Sequence, residues 1–126
     1  MANTFILDII TAVNGEPRDY ASPGESVVVS VRLKNLGGQG LYLSVSGVWD
    51  SSQLVFSPSS AWAEYLQTAY FLSGFTMPSK DVKVTAYGWW LNGSQWVNDT
   101  WLDKDLLLQA AAPEFSNFLV TQYQKV

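Results

Sequence analysis

The sequence predicts an all-β protein in which two antiparallel sheets pack face to face. Segments in which apolar and polar residues alternate recur along the chain, as expected of strands with one buried and one solvated face. Turn-forming glycine, proline and asparagine separate these segments at intervals of roughly eight to twelve residues, a spacing typical of sandwiches. Since no segment has a convincing helical period, we expect about seven or eight short strands in two layers.

The strongest strand patterns lie in the first half of the chain. The run 5–13 is apolar and stops at Asn14-Gly15, whereas valine and leucine alternate with other residues over 26–34. After a glycine-rich loop, the same alternation returns over 41–49. Shorter or less regular strands are predicted at 53–56 and 68–76.

The segment 59–67 leaves two interpretations open. Ser59 and Ser60 are suitable N-caps and Glu64 lies in what would be the first turn, so one interpretation is a single helical turn. The other is an extended crossover between neighbouring strands.

The segment 75–97 predicts a long β-hairpin around which the other strands can be arranged. Val82, Val84 and Ala86 alternate with polar or aromatic residues, so one face of this strand is expected to be buried. Asn92-Gly93 are the residues that most readily take positive φ, and they predict a tight primed turn.

Counting outward from this turn predicts the register of the hairpin. Trp89 would pair with Trp96, and Tyr87 with Asn98. The other predicted pairs are Trp90 with Gln95, Thr85 with Thr100, and Val84 with Trp101. One face of the hairpin is therefore expected to be apolar, and the opposite face to carry aromatic side chains.

The second hairpin strand is predicted to run to about residue 108 and to contain an irregularity. Strict pairing would turn Asp99 and Asp103 towards the core, where an unpaired carboxylate is costly. We therefore expect a β-bulge near Asn98-Asp99 that turns them outward. The predicted core tryptophans are Trp49, Trp90 and Trp101.

Two segments resemble a known group of domains. Residues 20–37, with a Pro-Gly-Glu turn, alternating valines and a Lys-Asn pair, resemble the opening of prokaryotic immunoglobulin-like modules of the CARDB and related types. Residues 75–86 resemble a later strand of the same group. The resemblance covers about residues 5–108 and implies an immunoglobulin-like antiparallel β-sandwich. Such modules act as spacers, decorations or binding heads in envelope proteins, adhesins and phage virion proteins.

Residues 109–126 are expected to form a linker and tail after a sandwich domain spanning 1–108. A break at 110–113 precedes 117–126, which has the apolar and β-branched character of residues 4–13. This segment is interpreted either as an arm that donates a strand to another subunit or as the first strand of a following repeat. A C-terminus without fixed structure is equally compatible with the sequence.

Composition and charge exclude several functions. The seven Lys and Arg residues are dispersed in a chain of net charge −4, which gives no basis for binding nucleic acid. The chain has no cysteine and no histidine, so thiol chemistry, the commonest metal ligands and the usual general base are missing. The acidic cluster Asp99, Asp103 and Asp105 lacks a calcium-loop pattern. We therefore assign no catalytic residue, metal or cofactor.

The outer hairpin face is the candidate binding site. Exposed rings beside amides and hydroxyls suit either a protein interface or stacking on a sugar. The remaining interpretation is cross-strand packing that a loop or the tail covers. The candidate residues are Thr85, Tyr87, Trp89, Trp96, Asn98 and Thr100.

These observations predict a non-enzymatic structural or adhesive module at a virion or cell surface. The first choice is a virion accessory protein, such as a capsid decoration or tail component, that self-associates or docks on a larger particle. The first residues lack the features of a secretory signal, and no stretch approaches the roughly 20 apolar residues of a membrane span. The alternatives are a carbohydrate-binding module and one repeat of a prokaryotic cell-surface protein.

Overall fold

The computed structural model describes residues 2–109, which form ten strands and no helix. The strands are β1 (Thr4–Val13), β2 (Glu16–Pro17), β3 (Tyr20–Ala21), β4 (Ser26–Asn35), β5 (Leu41–Trp49), β6 (Ser52–Leu54), β7 (Ala61–Ala63), β8 (Thr68–Thr76), β9 (Val82–Asn92) and β10 (Gln95–Leu108). The predicted all-β class is confirmed. The count exceeds the prediction because strands of two or three residues are too short to show a period.

Two sheets form the layers of a sandwich. The first sheet has the order β2-β1-β4-β8, and the second has the order β3-β10-β9-β5-β6, with β7 paired to β5. Neighbouring strands are antiparallel except β3, which runs parallel to the end of β10. The predicted immunoglobulin-like sandwich is confirmed, with this one parallel pair as an addition.

The core lies between the inner faces of the two sheets, as the alternation predicts. Along β4 the side chains of Val27, Val29, Val31 and Leu33 are at most 1% exposed, while the residues between them face outward. They pack opposite the equally buried Val82, Val84 and Ala86 of β9. The bulkiest fully buried side chains are Phe71, Leu33, Leu43, Met77 and Leu106.

Within the segment 59–67, residues 61–63 form a strand and residues 64–67 a tight turn closed by a hydrogen bond from the Gln67 N–H to the Glu64 carbonyl oxygen at 2.9 Å, so the helical-turn interpretation is wrong. Residues 61–63 pair with the start of β5, where Trp62 lies opposite Tyr42. The chain then turns through Leu66, which has φ of 71°. Backbone hydrogen bonds to a neighbouring strand outweigh the weak capping signal of a segment too short to nucleate a helix.

The hairpin exists, but its turn lies one residue later than predicted. Asn92 pairs with Gln95, so Gly93-Ser94 form the two-residue loop, and Gly93 has φ of 63°. Positive φ at the first central residue with a glycine there is the type II′ arrangement, which matches strand twist as well as the type I′ turn does. The register is consequently shifted by two residues, and Trp89 lies opposite Asn98 rather than Trp96.

The predicted bulge is present and has a consequence that the prediction did not include. Pairing shifts between Asn98 and Thr100, which leaves Asp99 as the extra residue. A single extra residue exchanges the two faces of the strand beyond it. Trp101 therefore lies on the outer face with 63% exposure, so its placement in the core was wrong. Trp49 and Trp90 do pack against the core.

Candidate functional site

The outer face of the second sheet carries six aromatic side chains contributed by four adjacent strands. We call this surface the aromatic face; its members are Tyr42, Trp62, Tyr87, Trp89, Trp96 and Trp101. Strand pairing brings the rings together, because β7, β5, β9 and β10 are consecutive neighbours in the sheet. Four of them remain substantially exposed, at 48% for Tyr42, 52% for Trp62, 42% for Trp96 and 63% for Trp101.

The centre of the aromatic face is a pocket between tryptophan rings and serine hydroxyls. It has a volume of about 390 Å³ and is lined by Ser44, Ser46, Ser59, Ser60, Trp89 and Trp96. Trp89 donates its Nε1–H to Ser46 Oγ at 2.8 Å, which fixes the orientation of the indole ring. Ser44 Oγ donates to the Ser59 carbonyl oxygen at 2.7 Å and holds the neighbouring loop against the sheet. The pocket therefore offers an apolar wall beside a group of hydroxyls.

A second aromatic pair lies at the β7 end of the face. The Tyr42 and Trp62 rings meet edge to face, with centroids 5.0 Å apart. Trp62 also donates its Nε1–H to Glu64 Oε2 at 2.6 Å. Rings that are held by neighbours lose little conformational entropy when a partner covers them, which favours tight contacts.

The structure separates the predicted site residues into two groups. Tyr87, Trp89 and Trp96 lie on the aromatic face as predicted. Asn98 is on the same face, but its amide donates to the carbonyl oxygens of Gly88 and Thr100, at 2.9 and 3.1 Å, and supports the bulge. The amide therefore supports the strand that carries the rings.

The other two predicted residues do not contribute a hydroxyl to the pocket. Thr85 donates to Asp103 Oδ1 at 2.7 Å, further along the strands. Thr100 pairs with Gly88, whose inner side faces Leu33, so beyond the bulge Thr100 belongs to the inner face. The predicted position of Thr100 on the outer face is wrong for the same reason as that of Trp101.

Sequence reasoning missed three members of the aromatic face. Trp101 was predicted to be buried, because the effect of the bulge on the direction of its side chain was not taken into account. Tyr42 was available from the alternation of β5, since it lies next to the buried Leu41 and Leu43. Trp62 gave no usable signal, because a three-residue strand is defined by its pairing partner and not by its own period.

Two carboxylates of this sheet, Glu64 and Asp103, lie at the margins of the aromatic face, bonded to Trp62 and Thr85, whereas Asp50 lies at the end remote from the pocket. Asp50 accepts a hydrogen bond from the Lys83 N–H and lies 3.3 Å from Lys80 Nζ. The Lys83 N–H, followed by the Lys80 ammonium, lowers the pKa of the Asp50 carboxyl from its usual value. Within residues 2–109 no group of three acidic side chains is arranged to hold a metal ion.

Comparisons with known proteins identify a fold and no family. No family model matches the sequence, and no curated protein sequence matches it. Solved structures do match. The native conformation of E. coli alpha-2-macroglobulin contains a region similar to 90% of this chain, with 14% identity and a TM-score of 0.61. This chain spans only 7% of that protein.

Two smaller structures are similar over nearly their whole length. The CARDB domain of a Pyrococcus furiosus protein, solved in complex with di-metal ions, matches 81% of this chain and 88% of its own, with 14% identity and a TM-score of 0.56. This chain has an immunoglobulin-like fold. A FixG-related protein from Vibrio parahaemolyticus matches 86% of it, at 5% identity and a TM-score of 0.54. The resemblance to CARDB-type modules is thus confirmed as a similarity of fold. In residues 2–109, no helix is suited to crossing a bilayer.

Proposed function

We propose that this immunoglobulin-like domain is a non-catalytic structural module that assembles through its aromatic face. The observation that carries the proposal is the exposure of Tyr42, Trp62, Trp96 and Trp101 on one sheet surface. Soluble monomers rarely leave a large contiguous apolar surface uncovered. Tryptophan and tyrosine also dominate the energetics of protein interfaces.

The partner that we propose first is a second copy of the chain. A sheet face is regular, so two copies related by a two-fold axis can stack with the same residues on both sides. Among residues 2–109, the pocket at the centre of the aromatic face is lined by rings and serine hydroxyls, so stacking there would bury these groups and leave the carboxylates of Glu64 and Asp103 at the margin. Burial would therefore avoid the main penalty for desolvating charges.

Sedimentation velocity over a series of micromolar concentrations tests self-association. We expect wild type to self-associate, and Trp96→Ala/Trp101→Ala to weaken the association by about 30-fold or more, because a central aromatic contributes on the order of 2 kcal/mol. The matched control is Tyr70→Ala/Leu72→Ala, which removes exposed apolar side chains of β8 in the first sheet. A wild type that is monomeric throughout, or a control that dissociates equally, would contradict the proposal.

As the setting of this assembly, we propose a virion accessory protein, such as a capsid decoration or tail component. An exposed docking face on a rigid domain suits a subunit that repeats over a particle surface. Cryo-electron microscopy of particles from the source virus or cell, labelled through antibodies against this chain, tests the setting. Label on virions supports it, whereas label confined to a cell envelope supports one repeat of a surface protein instead.

Carbohydrate binding is the second candidate, and the pocket between Trp89 and Trp96 favours it. A ring can stack on the CH face of a sugar while the hydroxyls of Ser44, Ser46 and Ser60 exchange hydrogen bonds with it. Tryptophan fluorescence titrated with a panel of polysaccharides tests this function. Trp89→Ala should abolish the response while Trp101→Ala, on the same face but outside the pocket, preserves it. An absent response, or equal loss in both variants, would exclude a sugar site in this pocket.

A further inference from the structure

A groove lies between the edge of β1 and the edge of β10. Two adjoining cavities of about 550 and 530 Å³ form it, and Ile9, Asp19 and Lys104 line both of them. Lys104 Nζ pairs with Asp19 Oδ1 at 2.5 Å where the cavities adjoin. The apolar lining comes from both strands and includes Leu7, Ile9, Leu102 and Leu107.

Both strands that flank the groove have largely unpaired edges within residues 2–109. On the edge of β1 that faces away from β4, only the last two residues of β1 are paired, with β2. On the edge of β10 that faces away from β9, only the last two residues of β10 are paired, with β3. Thr11 accepts a hydrogen bond from the Arg18 N–H on the β2 side, so alternation directs the backbone groups of Ile9 to the same side.

The backbone of β10 likewise presents donors to the groove. Leu107 donates its N–H to the Asp19 carbonyl oxygen at 2.9 Å, on the side away from β9. By alternation, the N–H groups of Asp103 and Asp105 point to that same side. The groove has a mixed lining, in which Asp8, Asp19, Asp103, Lys104 and Asp105 accompany the apolar side chains. An unpaired edge beside such a groove can accept an added strand through its backbone groups.

The chain continues from this groove. Leu107 lines it, and Gln109, the last described residue, donates its N–H to the Ala21 carbonyl oxygen at 2.8 Å. The following 110–126 can span about 55 Å when extended, at roughly 3.3 Å per residue. The unpaired part of the β10 edge that lines the groove covers 102–106, or about 17 Å by the same measure. The segment is therefore long enough to return along the edge.

The sequence of 117–126 suits a strand, and the preceding residues suit a connection. Phe118, Leu119, Val120 and Tyr123 are interspersed with polar residues, and only Lys125 is charged. Pro113 cannot donate to a ladder, which places the chain reversal before this segment.

We propose that 117–126 adds as a strand to the edge of β10 in this groove of its own chain, antiparallel to β10. The antiparallel direction follows because the chain must reverse after Gln109. The same chain is favoured because a short connection gives the segment an effective concentration on the order of millimolar. The added strand protects the edge of β10, which otherwise invites aggregation, and it does not depend on the function proposed for the aromatic face.

Disulfide trapping tests this proposal directly, because the chain of 126 residues has no cysteine of its own. Leu102→Cys is combined in turn with Phe118→Cys, Val120→Cys or Gln122→Cys, and mild oxidation is followed by non-reducing gels and mass spectrometry. We expect one of these pairs to form an intrachain disulfide at least about tenfold faster than the matched control with Tyr70→Cys in place of Leu102→Cys. Equal rates, or products that are mainly interchain, would overturn the proposal.

Amide hydrogen exchange provides a second readout in the absence of any cysteine. In the wild-type chain of 126 residues the amides of Asp103 and Asp105 should exchange slowly. They should exchange at least about tenfold faster in Phe118→Asp/Val120→Asp, and the conservative variant Phe118→Leu/Val120→Ile should retain the protection. Fast exchange of both amides in wild type would refute the added strand.

Discussion

On the outer face of the first sheet, a charged row crosses the strands, whereas the outer face of the second sheet is aromatic at its centre. Asp8 and Arg32 form an ion pair opposite Tyr70 in one cross-strand row. This row divides the exposed Phe5 on one side from the aliphatic side chains on the other, namely Ile10, Val28 and Leu72. The apolar surface of the first sheet is therefore interrupted by charge.

The difference shows how one strand pattern yields two kinds of surface. Both sheets alternate buried and outward residues, so the core does not decide what the outer faces carry. Covering the first face would require desolvating Arg32 and Asp8, and the attraction within the pair only partly offsets that cost. Covering the centre of the aromatic face buries rings and hydroxyls instead, with the carboxylates of Glu64 and Asp103 at its margins. For this reason we propose the second face as the docking surface, although both faces expose apolar groups.

The largest expected effect is a difference in unfolding free energy between variants of an inner and an outer tryptophan of the second sheet. Trp90→Ala removes a ring that packs against the core and should cost about 3–5 kcal/mol of unfolding free energy. Trp101→Ala removes a ring that is 63% exposed and should cost less than about 1 kcal/mol. Chemical denaturation of both variants measures the difference. Equal losses would mean that Trp101 is buried and the bulge is absent.

An intermediate loss of unfolding free energy is expected from replacing Asp99, the bulge residue at which the two sheets meet. Asp99 accepts hydrogen bonds from the Asn3 N–H, at 2.7 Å, and from the Thr4 hydroxyl, which tie β10 to the start of β1. Asp99→Ala should cost about 1.5–3 kcal/mol, since these bonds have a charged acceptor. Asp105→Ala, which removes an exposed carboxylate on the same strand, is the matched control and should cost no more than about 0.5 kcal/mol. Thermal unfolding of both variants checks the contrast, which a similar cost for the two would contradict.

A smaller effect is expected from breaking the charged row of the first sheet. Arg32→Ala should reduce stability by about 0.2–1 kcal/mol, because the ion pair is partly exposed and screened by solvent. Urea denaturation measures this cost, with Lys34→Ala on the same strand face as the control. A loss well above that range would mean that the ion pair is more protected from water than its exposure indicates.

The smallest expected effect is on how the stability of the fold depends on pH. The hydrogen bond from Arg32 lowers the pKa of the Asp8 carboxyl below its usual value. A carboxyl with a lowered folded pKa contributes stability above its unfolded pKa of about 3.9, and that contribution is lost as pH falls through the folded pKa. Asp8→Asn should therefore flatten the decline in stability below about pH 4. An unchanged acid profile in denaturation experiments would show that the ion pair contributes nothing to folding.

The sequence predicted those parts of the fold that local patterns determine. The alternation of Val27, Val29, Val31 and Leu33 was sufficient to place β4 and its buried face. Asn92-Gly93 located the hairpin but not its exact turn, because Gly93-Ser94 fits a primed turn equally well.

The candidate site was predicted only in part, because its boundaries depend on non-local pairing. Tyr87, Trp89 and Trp96 follow from the alternation of the hairpin strands. Trp62 joins them only through the pairing of β7 with β5, which no short-range pattern encodes. Trp101 joins them because one extra residue at Asp99 exchanges the two faces of β10.

Fluorine NMR of the 5-fluorotryptophan-labelled chain tests the central claim most directly, because the six tryptophans include their own controls. Trp62, Trp89, Trp96 and Trp101 belong to the aromatic face, whereas Trp49 and Trp90 pack against the core. Single Trp→Phe variants assign the signals. As the protein concentration rises through the micromolar range, the four signals of the aromatic face should shift or broaden while the two core signals stay fixed. Signals that do not depend on concentration, or that all change alike, would contradict assembly through this face.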